Sequence, residues 1–190
     1  MVKLKIITGS NRPGRFNLQP ANWIYDMATQ VEGVEAELLD LEVINLPFLD
    51  EPNLPVRRQY TKEHTKAWAA KIDEADGFIF VTPEYNRSFS AVLKNAIDYL
   101  SAEWNYKPAS FVSYGASLGG ALAVEQLRVV TGALKMYGLR EQVLLSNYSN
   151  DLDEQGNFKF NERHVEFANN LLKSLVFWAE KMKAAREEMQ

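Results

Sequence analysis

Apolar residues along this chain alternate between two rhythms, short continuous runs and longer stretches spaced at three and four. Lys3 to Thr8 reads as a short buried strand. Residues 17–31 place Trp23, Ile24, Met27, Ala28 and Val31 at helical spacing, with Pro20 in the first turn, where a missing N–H costs little. Val34 to Leu39 reads as a second strand. Residues 40–55 hold too many prolines for a helix, so we expect a loop over the sheet edge, anchored by Phe48 and Leu49.

A helix is predicted over 61–75, with Thr61 and His64 as a weak cap, Glu63 in the first turn, and Trp68, Ala69 and Ile72 on its buried face. Gly77 to Thr82 is apolar throughout, as in a strand covered on both faces of a parallel sheet. A helix over 88–100 follows, presenting Val92, Leu93, Ala96, Ile97 and Leu100. Ala109 to Tyr114 is the fourth strand. The next helix should run to about Tyr137, with Gly138 as its stop, and Leu139 to Leu145 is the fifth strand. After a polar loop at 149–160, a terminal helix from Asn161 buries Phe167, Leu171, Leu172, Leu175 and Trp178.

Five alternations of strand and helix predict one α/β domain over residues 1–190, a parallel sheet covered on both sides. The strand order 2-1-3-4-5 suits five strands and opens a ligand crevice beyond the carboxyl ends of strands 1, 3 and 4. The unusual loops 9–17, 83–87 and 115–120 sit at those ends, and their convergence says more than any one of them.

Composition narrows the chemistry. The 190 residues carry a net charge of −4, so nothing favours nucleic acid or an anionic membrane. With no cysteine, disulfides, thiolate catalysis, cysteine-ligated zinc and iron–sulfur clusters are excluded, and a reducing cytoplasm fits. The chain enters a strand within its first residues, unlike a signal peptide, and its apolar runs fall short of the about 20 residues of a membrane helix.

The first loop, Gly9-Ser10-Asn11-Arg12-Pro13-Gly14-Arg15-Phe16-Asn17, has the makings of an anion site. Its glycines permit a tight turn, a helix N-terminus follows, and Arg12 and Arg15 offer planar forks for phosphate. No Lys follows the second glycine and no G-x-G-x-x-G is present, so neither a nucleoside-triphosphate loop nor a dinucleotide fingerprint is read here. The alternative is a turn with two solvated arginines.

Together, Gly9 to Arg15, Pro83-Glu84-Tyr85-Asn86 with Leu93-Lys94-Asn95 downstream, and Gly115-Ala116-Ser117-Leu118-Gly119-Gly120 resemble the NADPH-dependent FMN reductase family over about residues 1–150. The resemblance implies a flavodoxin-like fold, a flavin mononucleotide cofactor and NAD(P)H as donor. It implies Ser10, Arg12 and Asn17 as phosphate contacts; Arg15 stands where some relatives have Ser and could still reach the phosphate. Pro83, Glu84, Tyr85 and Asn86 resemble the segment along the isoalloxazine ring, and Gly115, Ser117 and Gly119 the loop under its pyrimidine edge. The implied acceptors are small: quinones, flavins, azo compounds or chromate. A homodimer or homotetramer is implied, with the flavin near a subunit boundary.

Other readings stay open at this level. A flavodoxin-type electron carrier would share the cofactor without oxidising NAD(P)H. A response receiver needs acidic residues after strand 1, which Thr8-Gly9-Ser10-Asn11 lacks. Glu84 reads as a loop residue rather than a base. Arg87 meets a nicotinamide-nucleotide phosphate or simply water. Trp104 and Tyr106 border the substrate pocket or a subunit contact; Trp23, Trp68 and Trp178 read as core or subunit-contact residues. His64 and His164 stand on polar helix faces, too far apart in sequence to read as a metal cluster.

Overall fold

The computed structural model describes residues 1–189. Strands β1 (Val2–Thr8), β2 (Val34–Asp40), β3 (Gly77–Pro83), β4 (Pro108–Gly115) and β5 (Tyr137–Ser146) form one parallel sheet in the order 2-1-3-4-5. The helices are α1 (Leu18–Thr29), the short α2 (Leu41–Ile44), α3 (Glu63–Asp73), α4 (Ala91–Asp98), α5 (Ala121–Ala133) and α6 (Glu162–Glu188). This is the flavodoxin-like arrangement of the expectation.

The strands explain the two layers. Side chains alternate between faces along a strand. In β3, Phe78 and Phe80 join Trp68, Trp104, Phe111, Leu93 and Leu127 beneath α3, α4 and α5. Ile79 and Val81 point the other way, to Ile24, Val112, Leu171 and Leu175 beneath α1 and α6. All of β3 is buried, which is why its sequence shows no polar alternation.

Polar groups tie the far end of the sheet. Asp76 is buried, accepts the Lys3 N–H at 3.0 Å, and holds Lys183 and Arg186 of α6 at 3.0 Å each. The N-terminus of α6 carries a capping box: Asn161 accepts the His164 N–H, and His164 Nδ1 accepts that of Asn161. His164 is thus a structural residue, and burial holds its pKa below the usual value.

Several boundaries differ from expectation. Helix α5 stops at Ala133, and Lys135, not Gly138, takes the left-handed conformation with φ 56°. Three successive N–H groups, of Leu134, Lys135 and Met136, bond back to Thr131 and Gly132 and close the helix early. Gly138 then pairs with Ala109 inside β5. Phe48 and Leu49 do not anchor their segment, being 84% and 43% exposed. Ile44 and Leu46 pack on the core instead, while Asn95 and Tyr99 of the α4 region hydrogen-bond Pro47 and Leu49. Thr61 and His64 do not cap helix α3; the Glu51 carboxylate instead accepts the N–H groups of Thr61 and Lys62 just ahead of it. Trp178 is only half-buried, lying beside Tyr137.

Candidate functional site

The loops after β1, β3 and β4 meet at the carboxyl ends of the central strands. Gly9 passes so close to β3 that a Cβ there would lie 2.9 Å from the Val81 carbonyl oxygen, and its own N–H bonds that oxygen at 2.7 Å. Ser90, the N-cap of α4, donates to the Gly9 carbonyl, fixing the loop from the other side. Ser10 is buried; its Oγ accepts the Arg12 N–H at 3.4 Å and lies 3.5 Å from the Tyr85 hydroxyl. The N–H groups of Asn11, Gly14 and Phe16 have no acceptor among the described residues. Together with the start of α1 they form a donor-rich concavity.

The two arginines part company. Arg12 is exposed and has no acidic partner among the described residues. Arg15 is largely buried; its Nη2 bonds Asp40 at 2.6 Å and its Nη1 pairs with Glu42, while its Nε has no partner. The register explains this, because Thr8 and Asp40 are opposite one another and the Thr8 hydroxyl donates to Asp40 at 2.9 Å. Asn17 is fully buried, its amide donates to the Val81 carbonyl at 2.9 Å, and its Oδ1 has no partner.

After β3, Tyr85 and Ser88 exchange N–H···O bonds across Asn86 and Arg87, whose φ values are 50° and 69°. Two left-handed central residues make a type I′ turn, a conformation asparagine tolerates. Pro83 is buried at the strand end, Tyr85 is half-exposed, and Arg87 is exposed. Glu84 turns inward: its Oε2 accepts the Leu122 N–H at 3.1 Å, capping α5 and joining this loop to the next. In the loop after β4, Gly119 and Gly120 have φ 59° and 84° and are packed inside, with a Gly119 Cβ only 2.9 Å from Ser146 Oγ. Gly115 lies against Gly120, and Ser117 is exposed. The N–H groups of Asn86, Arg87, Ser117 and Leu118 have no acceptor among the described residues.

A wall that sequence reasoning missed completes the cleft. Phe16 stacks on Tyr148 with centroids 4.3 Å apart, and both meet Tyr114 edge-on at 5.0 and 5.2 Å. Burial pushes the Tyr114 phenol pKa up, so it stays a neutral hydroxyl. A cavity of about 320 Å³ opens between this wall, Arg12, Gly14 and Tyr85. Only the position of Tyr114, just ahead of Gly115, could have signalled it. By contrast, Trp104 is fully buried against Trp68, and Tyr106 precedes β4 at the opposite end, so neither borders the cleft.

This donor set fits a flavin mononucleotide. The first loop supplies an unpaired guanidinium and free N–H groups for a phosphate. The other two supply an aromatic ring and N–H donors for a flat heterocycle. The unpartnered Asn17 Oδ1 suits a hydroxyl rather than a phosphate oxygen. The family model for NADPH-dependent FMN reductase matches residues 2–150. The chain belongs to this family. Membership brings FMN as cofactor and NAD(P)H as donor. An NAD(P)H-dependent FMN reductase of Schizosaccharomyces pombe is 47% identical over 136 residues, covering 70% of this chain and 68% of its own. A 2-hydroxy-1,4-benzoquinone reductase of a Burkholderia species is 31% identical, covering 82% and 85%. Among solved structures, the NAD(P)H:(acceptor) oxidoreductase FerB of Paracoccus denitrificans superposes with a TM-score of 0.72 at 24% identity, covering 96% and 99%, a likeness of fold.

Proposed function

We propose that this reductase takes electrons from NAD(P)H and passes them to small planar or oxidised acceptors: quinones, free flavins, azo compounds or metal oxyanions such as chromate. The observation that carries the reading is the set of free donors in three loops at the carboxyl ends of the central strands, beside a cleft lined by Arg12, Gly14 and Tyr85, in a chain of this family. Bound FMN supplies the hydride chemistry at its ring. The protein's residues do the rest. Arg12, Ser10 and the N–H groups leading into α1 hold the phosphate, and Asn17 contributes its backbone there while its Oδ1 accepts from a hydroxyl. Pro83, Tyr85 and Asn86 shape one side of the ring site. The free N–H groups of Ser117 and Leu118 would serve the ring edge, where donors favour the reduced, anionic form. Gly115 and Gly119 let that loop turn. Arg15 anchors the phosphate loop through Asp40 and Glu42 instead of meeting the phosphate. No side chain is assigned as a catalytic acid or base.

The same reading expects a homodimer or homotetramer. Leu54, Val56 and Val129 are 63%, 67% and 70% exposed along a groove between α4 and α5, an apolar face that favours a partner. We place the protein in the cytoplasm, consistent with its lack of cysteine; no described helix is long and apolar enough to cross a membrane.

An anaerobic absorbance experiment tests the function. The purified protein should carry, or take up, flavin whose visible bands bleach on adding NADPH or NADH and return on adding a quinone. Flavin that binds and ignores both nucleotides would point to the electron-carrier reading. No flavin uptake at all would reject the site.

A further inference from the structure

The segment between β5 and α6 carries the next step. It begins at Asn147, whose φ is 49° and whose N–H bonds the Ala116 carbonyl in the loop after β4 at 2.9 Å. A single turn then presses Tyr148 onto Phe16, inside the phosphate loop. Beyond it, Leu152 and Phe158 pair as an antiparallel bridge. The tip is held by Asp153, whose carboxylate accepts the N–H groups of Gln155 and Asn157 at 2.9 and 2.8 Å. The segment is therefore a pre-folded hairpin, not a slack connection. Its outer end is fastened by one residue of α1. Gln19 donates to the Gly156 carbonyl at 2.7 Å and accepts the Phe158 N–H at 2.6 Å. The strap lines the cavity beside Arg12 and Gly14, and all but its first turn lies beyond the residues the family model matches.

We propose that residues 147–158 form a fourth wall of the cofactor site, latched by Gln19, and that this latch sets how fast FMN leaves. Tyr148 and Gln19 are positioning residues. Tyr148 pins Phe16 and so the loop that carries Arg12, and Gln19 keeps the strap over the phosphate end. The inference rests on the FMN reading of the site.

The test measures FMN release from the holoenzyme by the return of free-flavin fluorescence on dilution. Gln19→Ala should speed release about tenfold, the scale of two lost neutral hydrogen bonds. Tyr148→Ala should speed release to a similar extent, and Tyr148→Phe, which keeps the ring, should restore slow release. The wild-type protein gives a second readout that needs no variant: bound FMN should slow hydrogen exchange at Asn157 and Phe158. Wild-type FMN release that Gln19→Ala leaves unchanged overturns the strap while leaving the flavin reading intact, and so does strap exchange indifferent to FMN. A wild-type protein that retains no FMN overturns both.

Discussion

Arg15 offers the sharpest test of how the phosphate loop is held, because its two roles differ in what they move. Its side chain is 8% exposed and that of its partner Asp40 17%, so solvent screens the contact little. Removing one partner of a hydrogen bond between charged groups costs about 1.5–3 kcal/mol, and the half-exposed Glu42 adds less than about 1 kcal/mol. Arg15→Ala should thus destabilise the fold by about 2–3 kcal/mol; at about 2–4 °C per kcal/mol for a chain of this size, the melting temperature falls by about 4–12 °C. Asp40→Ala removes the same contact from the other side. Urea denaturation of both single variants and the double variant should show a coupling energy of about 1.5–3 kcal/mol. FMN titration across salt concentrations then separates anchor from ligand. As an anchor, Arg15 changes FMN affinity less than Arg12 does. Additive stabilities, combined with abolished flavin binding in Arg15→Ala, would refute the anchor and return Arg15 to the phosphate.

Arg12→Ala, which removes the unpaired guanidinium, should weaken FMN binding by about tenfold to a hundredfold, read by fluorescence quenching on titration. Gly120→Ala forces a side chain into φ 84° and sets a Cβ 2.8 Å from that of Ser113. We expect about 1–3 kcal/mol of lost stability together with weaker flavin binding; an unchanged melting temperature would contradict the packing. Glu51 pays a desolvation penalty that its hydrogen bonds from Thr61 and Lys62 outweigh, and its pKa is lowered from 4.5 to about 2. A carboxylate depressed in the folded state stabilises fully above its unfolded pKa and loses that contribution as pH falls from about 4.5 to about 2. The urea midpoints of wild type and Glu51→Gln should therefore converge over that window; a constant gap down to pH 2 would argue against those hydrogen bonds as the source of the shift.

The strands were readable because burial on both faces leaves an uninterrupted apolar run, as in Gly77 to Thr82. Loop positions were readable for the same reason, since each begins where such a run stops. Partners across the sheet were harder to see. Asp40 meets Arg15 only because β1 and β2 align Thr8 with Asp40, a register that local sequence does not display. Trp104 belongs to the core through Trp68 and Phe78, contacts from distant segments, so its aromatic character alone suggested a pocket or a subunit contact and not the core. Gly138 was misplaced because Lys135 adopts the backbone shape glycine usually supplies. The Phe16–Tyr114–Tyr148 wall needs three loops assembled before it exists.

Asp76 has a consequence for engineering the molecule. By holding Lys3 together with Lys183 and Arg186, it brings the start of β1 and the last turns of α6 side by side, and Lys183 also reaches the Met1 carbonyl at 3.4 Å. That junction lies at the amino ends of the strands, across the whole sheet from the cleft. A short linker could run from the last turn of α6 to β1, with a new opening cut in the exposed stretch around Phe48. Such a circular permutant would keep every loop of the cleft in place, and reporters or surface tethers carried on that linker would stand clear of it.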